Sequence, residues 1–137
     1  MYGGCRNVWL AETDATAISS TNIVTNGTFQ SNTNGWTCNS NTTISNPSGY
    51  LRFTQNVNGS WQGSNAMYSM GNNFVVGKTY SLKYRIRSSG NGNYSQGVGA
   101  RIQKGSSWHS SNTEFSRDST SDPGTEWTTK HWTWTAT

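Results

Sequence analysis

The sequence predicts an all-β fold built from many short strands. Ser, Asn, Thr and Gly make up about half of the 137 residues, whereas Leu occurs only three times, so a conventional helical core is excluded. Aromatic residues form 12% of the chain and include seven Trp, which argues against disorder. Thr and aromatic residues favour strands, and the frequent Asn-Gly pairs favour tight turns. We therefore expect a sandwich or barrel.

The first predicted element is a strand at residues 5–11, where Val8 and Leu10 alternate with Trp9 and Ala11. Residues 12–21 follow as a polar linker. Further strands are predicted at 23–30, 35–38, 41–46, 49–56, 66–70, 73–76, 79–88, 97–103, 113–117 and 127–136. No window of the chain shows a convincing helical period.

The clearest strand is 79–88, because its apolar and polar residues alternate without interruption. Its apolar face is predicted to carry Tyr80, Leu82, Tyr84 and Ile86. If this strand pairs with 97–103, basic and polar side chains of the two strands line one outward face. The members of that face would be Lys83, Arg85, Arg87, Arg101 and Gln103.

A run of motifs resembles a known family. Residues 22–30 read Asn-Ile-Val-Thr-Asn-Gly-Thr-Phe-Gln and are followed by Gly35-Trp36; Trp61, the segment 77–82 and Trp127 ahead of 132–136 continue the pattern. This order is similar to the family 4 and 9 type of carbohydrate-binding modules. The resemblance implies a jelly-roll β-sandwich of two antiparallel sheets, of galactose-binding-like type, which binds glycans or scaffolds an assembly and is not an enzyme.

The length fits one domain, with a sandwich at 22–137 and an N-terminal extension at 1–21. The family pattern continues beyond the strand that 127–136 resembles, and residues 5–12 look like that last strand, with Arg6 in place of an Asp. We therefore expect the extension to supply a strand, to its own domain or to a neighbour's, which completes the sheet edge left open after Thr137. Val8 and Leu10 would face the core.

Loop aromatics are the first candidates for a ligand site, because planar rings stack on sugar faces. Trp61 and Trp108 lie outside any alternating apolar pattern, and Tyr94 lies in a Gly- and Asn-rich loop. The predicted ligand-binding residues are Trp61, Gln62, Arg85, Tyr94, Arg101, Gln103 and Trp108. Alternatively, the loop aromatics cover the ends of the sandwich or fill a subunit contact. The basic outward face of 79–88 and 97–103 would then be a solvated surface without a ligand. Four other tryptophans are predicted to lie in the core: Trp36, Trp127, Trp132 and Trp134.

The sequence shows few residues in patterns that would support catalysis or metal binding. The six carboxylates show no paired spacing, the two histidines are isolated, and no Cys/His cluster has metal-ligand spacing. We therefore expect no catalytic residue, no cofactor and no metal. The family commonly holds a structural calcium, but Thr28 and Gln30 stand where acidic ligands are expected. Cys5 and Cys38 either form one disulfide or remain two thiols.

The expected partners are a polysaccharide or glycan and other subunits of an assembly, including copies of this chain. A net charge of +4 with only 12% charged residues disfavours nucleic acid, and no apolar run is long enough to cross a membrane. The N-terminus shows no signal-peptide pattern, so we expect a virion surface or fibre component, or another extracellular assembly. The alternatives are a module of a secreted glycoside hydrolase, a purely structural subunit without ligand, a small hydrolase and a single-strand nucleic-acid binder.

Overall fold

The computed structural model of the protein describes residues 2–13, 21–55, 66–69, 74–88, 98–103, 114–120 and 124–137. Within these ranges the regular structure consists of strands, without a helix, which confirms the all-β prediction. The strands are β1 (Tyr2–Glu12), β2 (Trp36–Cys38), β3 (Thr42–Ser45), β4 (Leu51–Gln55), β5 (Ala66–Tyr68), β6 (Thr79–Ser88), β7 (Val98–Gln103), β8 (Glu114–Thr120) and β9 (Thr128–Thr135).

The strands form one large antiparallel sheet and two smaller antiparallel pairs. The large sheet has five strands in the order β3-β4-β1-β6-β9. The pairs are β2 with β5 and β7 with β8. These antiparallel sheets agree with the predicted β-sandwich.

β1 lies inside the five-stranded sheet and not at its edge. On one side Tyr2–Cys5 pair with β4, and on the other side β1 pairs with β6 from Gly3 to Glu12. The strand expected at 5–11 is present and joins the sheet of its own chain, but the expectation that it completes an open sheet edge is wrong. The N-terminal strand fills the gap between β4 and β6, while β9 covers the opposite side of β6.

A β-bulge in β1 sets which side chains face the core. The register with β6 shifts between Arg6 and Trp9, and Asn7 has a φ of 53°. Asn is one of the few residues other than Gly that adopts this conformation readily. Because a bulge adds one residue to the strand, side chains after it change face. Cys5 and Leu10 thus both face the core, although strict alternation would separate them.

The core lies on one face of the five-stranded sheet. β6 contributes Tyr80, Leu82, Tyr84 and Ile86, all buried as its alternation predicts. From β1, Val8 and Leu10 are 7% and 1% exposed, whereas Trp9 is 38% exposed, in agreement with the predicted faces. The second layer packs against this surface with residues of the segment 21–35 and of the β2–β5 pair: Val24, Phe29, Trp36, Ala66 and Tyr68.

The segment 23–30 is not a strand, in contrast to the prediction, but a series of turns and bends that follows β1. The Asn22 side chain takes the place of a backbone strand there: its Oδ1 accepts from the Leu10 amide at 2.9 Å and its Nδ2 donates to the Val8 carbonyl at 2.9 Å. The amides of Val8 and Ile23 complete this pattern by donating to Gly27 and Leu10. These bonds satisfy the backbone of β1 beyond Cys5, where its pairing with β4 stops. Residues 74–76, within the predicted strand 73–76, also lack strand structure.

Gly27 is required by the close approach of β1. A Cβ atom at this position would overlap the carbonyl oxygen of Val8. Because only glycine lacks that atom, the backbone of residues 22–27 can lie directly against β1. The Asn-Gly motif at residues 26–27 thus packs directly against the N-terminal strand.

Removing the core contacts of β1 should destabilise the protein. We expect Leu10→Ala to lower the free energy of unfolding by about 2–5 kcal/mol, because it leaves a cavity in a closed core. Val76→Ala is a suitable control, since Val76 is 75% exposed and its truncation should change the value by no more than about 0.5 kcal/mol. Urea unfolding measures both variants.

Deleting residues 1–12 should have a larger effect than either substitution. The deletion removes the central strand and exposes the facing edges of β4 and β6, so the truncated protein should lose its cooperative unfolding transition. A truncated protein with an unchanged melting temperature would show that β1 is dispensable.

Candidate functional site

The face of the five-stranded sheet opposite the core carries a cluster of arginines. β6 places Arg85 and Arg87 on this side by simple alternation. The register brings Arg6 of β1 beside Arg85, and Gly4 lies between Arg87 and Arg52 of β4. With Tyr50 and Trp127, these four arginines form what we call the arginine face.

Two aromatic residues lie over the sheet at Gly4. Tyr50 directly precedes β4 and Trp127 directly precedes β9, and their rings meet edge to face with centroids 5.5 Å apart. A Cβ atom at Gly4 would lie 2.8 Å from Cδ2 of Tyr50 and 3.4 Å from Cη2 of Trp127. The glycine therefore provides the space in which both rings reach the backbone of β1.

The guanidinium groups pack against these rings. Arg6 Cζ lies 4.3 Å from the Trp127 centroid, and Arg87 Cζ lies 4.6 Å from Trp127 and 4.9 Å from Tyr50. Arg52 donates from Nη2 to the Tyr50 hydroxyl oxygen at 2.7 Å. Such cation–π contacts hold the guanidinium groups in place while they retain their positive charge.

Arg6, Arg85 and Arg87 form no ion pair with a described carboxylate. Nε of Arg6, Arg85 and Arg87 is buried and has no hydrogen-bond partner among the described residues. Desolvation by burial lowers the pKa of Arg6, and the positive charges of Arg85 and Arg87 lower it further. These groups therefore repel one another and are incompletely solvated.

The positive charge of the arginine face also changes the pKa of the Tyr50 hydroxyl. Its burial acts to raise its pKa, but hydrogen bonds from Arg52 and Arg87, with the charges of both arginines, outweigh burial and lower the pKa of Tyr50. Two carboxylates have described side chains. Glu12 pairs with Lys78 at 2.8 Å, and no ion pair joins Glu126 to any arginine of the face.

The turn before β9 positions Trp127. The Ser88 amide at the end of β6 donates to the Gly124 carbonyl at 2.8 Å, and Gly124 has the positive φ of 80° that the turn requires. Arg85 donates from Nη2 to the Trp127 carbonyl at 3.3 Å. The indole is therefore fixed from both ends of a short segment.

Of the predicted ligand residues, Arg85 lies on the arginine face. Arg101 and Gln103 lie in β7, which pairs with β8, whereas β6 is flanked by β1 and β9. The predicted pairing of 79–88 with 97–103 is therefore wrong, because both edges of β6 are already occupied. The remaining predicted residues lie outside the described part of the chain: Trp61, Gln62, Tyr94 and Trp108.

Sequence reasoning assigned Trp127 to the core, which is also wrong: it packs on Tyr50 and the arginines instead. The other three tryptophans follow the prediction, since Trp134 is 8% exposed and Trp36 and Trp132 pack against the core. Arg6, Arg52 and Tyr50 were not predicted as site residues. The spacing of Tyr50 and Arg52 at i and i+2 was a usable signal, but only the insertion of β1 shows that they meet Arg85 and Arg87.

Several other potentially reactive side chains lie in the described part of the chain. Ser81 Oγ contacts His131 Nε2 at 2.5 Å, but Ser81 is 1% exposed, so a substrate cannot reach its hydroxyl and the pair is a cross-strand contact. Cys5 and Cys38 are free thiols, and burial raises the pKa of the Cys5 thiol to about 12. Within the described ranges no group of His, Cys, Asp and Glu could hold a metal ion. The same part of the chain contains no helix long and apolar enough to cross a membrane.

Near Thr28 and Gln30, two asparagine side chains donate hydrogen bonds to several backbone carbonyl oxygens. Asn46 donates from Nδ2 to the Phe29 carbonyl at 2.8 Å, and Asn26 donates from Nδ2 to the Asn34 carbonyl at 3.0 Å. Both also donate to the Asn32 carbonyl at 3.2 Å. Neutral amide donors thus occupy oxygens that could otherwise bind a hard cation.

Comparison with known families agrees with this architecture. A family model described as a carbohydrate binding domain matches residues 21–137. The chain belongs to this carbohydrate-binding family. The match confirms the resemblance seen in the motifs of residues 22–136. No curated protein and no solved structure gives a significant match to the chain. β1 lies outside the region of the carbohydrate-binding domain that the family model matches, although it is the central strand of the sheet.

The carbohydrate-binding domain should not need calcium for stability. Because amide groups of Asn26 and Asn46 already satisfy the carbonyls of this loop, a chelator should leave the melting temperature unchanged, as no ligand is lost from the native state. Asn46→Ala should instead lower the free energy of unfolding by about 1 kcal/mol or more. Thermal melts with and without chelator measure this; a drop restored by calcium would contradict it.

Proposed function

We propose that the domain binds glycans at the arginine face and catalyses no reaction on them. The observation that carries the proposal is the joint placement of Trp127 and Tyr50 with four guanidinium groups on one sheet face. A sugar ring offers an apolar C–H surface and several hydroxyl groups. An indole suits the first, and guanidinium N–H donors suit the second.

The loop residues predicted from the sequence remain part of the proposal. Trp61, Gln62, Tyr94 and Trp108 would contribute further ring and polar contacts, and Arg101 and Gln103 would add donors from β7. The sheet face and the loops can be tested separately.

Binding should depend on Trp127 and be measurable by titration calorimetry with ligands chosen from a glycan array. Trp127→Ala should lower the affinity by about tenfold, since an aromatic contact with its buried area accounts for about 1.4 kcal/mol or more. Met67→Ala is the control, because Met67 is a 41% exposed apolar residue of β5 in the other layer.

Trp61→Ala and Trp108→Ala locate the rest of the site. If these variants lose binding while Trp127→Ala retains it, the glycan binds at the loops and the sheet-face assignment is wrong. Circular dichroism of each variant separates loss of binding from loss of fold. An absence of binding to every glycan on the array would contradict the proposed function itself.

The biological setting we propose is a virion surface or fibre, or another extracellular assembly. What supports it is β1: a strand from outside the family match fills the centre of the sheet, and such strands are readily exchanged between copies. Family membership is equally compatible with a module of a secreted glycoside hydrolase. Light scattering separates the two, because a hydrolase module should be monomeric and an assembly subunit should self-associate. A self-associating chain that binds no glycan would be a purely structural subunit.

A further inference from the structure

We propose that the arginine face binds the acidic group of an anionic glycan, a carboxylate or a sulfate carried on a sugar ring. This inference rests on the proposed function and narrows it to a class of ligand. Neutral glycans would bind through ring stacking and hydrogen bonds to their hydroxyl groups, whereas the concentration of positive charge favours a ligand with an acidic group.

The guanidinium groups are concentrated on neighbouring strands. Arg6 and Arg85 are direct partners across β1 and β6, and Arg87 follows Arg85 on the same face of β6. Like charges at this separation destabilise one another, and those of Arg85 and Arg87 lower the pKa of Arg6. A bound anion would remove this repulsion.

Arg6, Arg85 and Arg87 remain partly exposed although they pack beneath and beside the aromatic rings. Trp127 contacts the guanidinium groups of Arg6 and Arg87, with ring-centroid distances of 4.3 and 4.6 Å. Nε of Arg6, Arg85 and Arg87 remains without a partner among the described residues. The two terminal Nη groups of one guanidinium match two oxygens of a carboxylate or sulfate, so a ligand need not reach the buried Nε. A bound anion would also compensate positive charge that burial leaves incompletely solvated.

A sugar acid fits better than a nucleic acid. The chain has only ten Lys and Arg residues against six carboxylates, which is a small excess for a binder of phosphate backbones. The arginines form one compact patch beside Trp127 rather than a long track. A single acidic group next to a stacked ring is the spacing that an acidic sugar presents.

The test compares glycans that differ only in charge. Calorimetric titrations use a galacturonic acid hexamer and its methyl ester, and a sulfated oligosaccharide with its desulfated form. We expect at least one acidic glycan to bind about tenfold more tightly than its neutral counterpart, the effect of one charge-assisted hydrogen bond. The preferred pair identifies the acidic group as carboxylate or sulfate.

Variants assign the effect to the arginine face. Arg85→Gln should remove the preference for the acidic form, and Arg85→Lys should restore it only in part, because lysine keeps the charge but lacks the planar fork. Lys78→Gln is the matched control: it removes the same charge from an exposed ion pair at the other end of β6 and should change affinity less than twofold. If Arg85→Gln does not fold, Arg6→Gln takes its place.

The outcomes separate this inference from the proposed function. Equal binding of acidic and neutral forms would overturn the inference and leave glycan binding intact. Absence of binding to all four glycans, with tight binding of a single-stranded DNA oligonucleotide, would overturn both. An acidic preference that survives both Arg85→Gln and Arg6→Gln would show that the anion binds elsewhere and would also overturn the inference.

Discussion

The insertion of β1 between β4 and β6 is the constraint on which the rest of the structure depends. Its backbone forms hydrogen bonds with β4 and β6. Beyond Cys5, where pairing with β4 stops, the Asn22 side chain and the Gly27 carbonyl form the hydrogen bonds on that side. The same strand supplies Leu10 to the core and Arg6 to the opposite face. Without it the core would be open and the arginine face would lose both Arg6 and the glycine under its aromatic rings. Fold and candidate site thus share one structural element.

The bulge at Asn7 makes this double role possible. A regular strand through Cys5 and Leu10 would turn one of them away from the core. The extra residue shifts the alternation of side chains by one position between the two halves of β1. Apolar side chains before and after it therefore lie on the same face. Arg6 directly precedes the bulge and remains on the opposite face with Arg85.

The alternation of apolar and polar residues within a strand could be read from the sequence, but the strands that pair with each other could not. The pattern of 79–88 was sufficient to place Tyr80, Leu82, Tyr84 and Ile86 in the core, because period-two alternation is a property of a single strand. Strand partners depend on long-range topology, so the pairing of β6 with β1 and β9 was not predictable from its own residues. Segment 23–30 was predicted as a strand, yet the Asn22 side chain replaces regular pairing there. Trp127 was assigned to the core because the matching position of the family is usually apolar, and only the arrangement of β4, β1 and β6 shows that it lies on the arginines.

The directions of the strands have a mechanical consequence. β1 and β9 both run antiparallel to β6, so Gly3 pairs with Ser88 at one end of β6 while Thr135 pairs with Thr79 at the other, roughly 30 Å away. A force pulling the two ends of the chain apart would therefore act along the strands. Hydrogen bonds of the β1–β6 and β6–β9 ladders would be loaded in shear and resist together, instead of opening one after another as in a zipper. Such an arrangement resists extension along the strand direction.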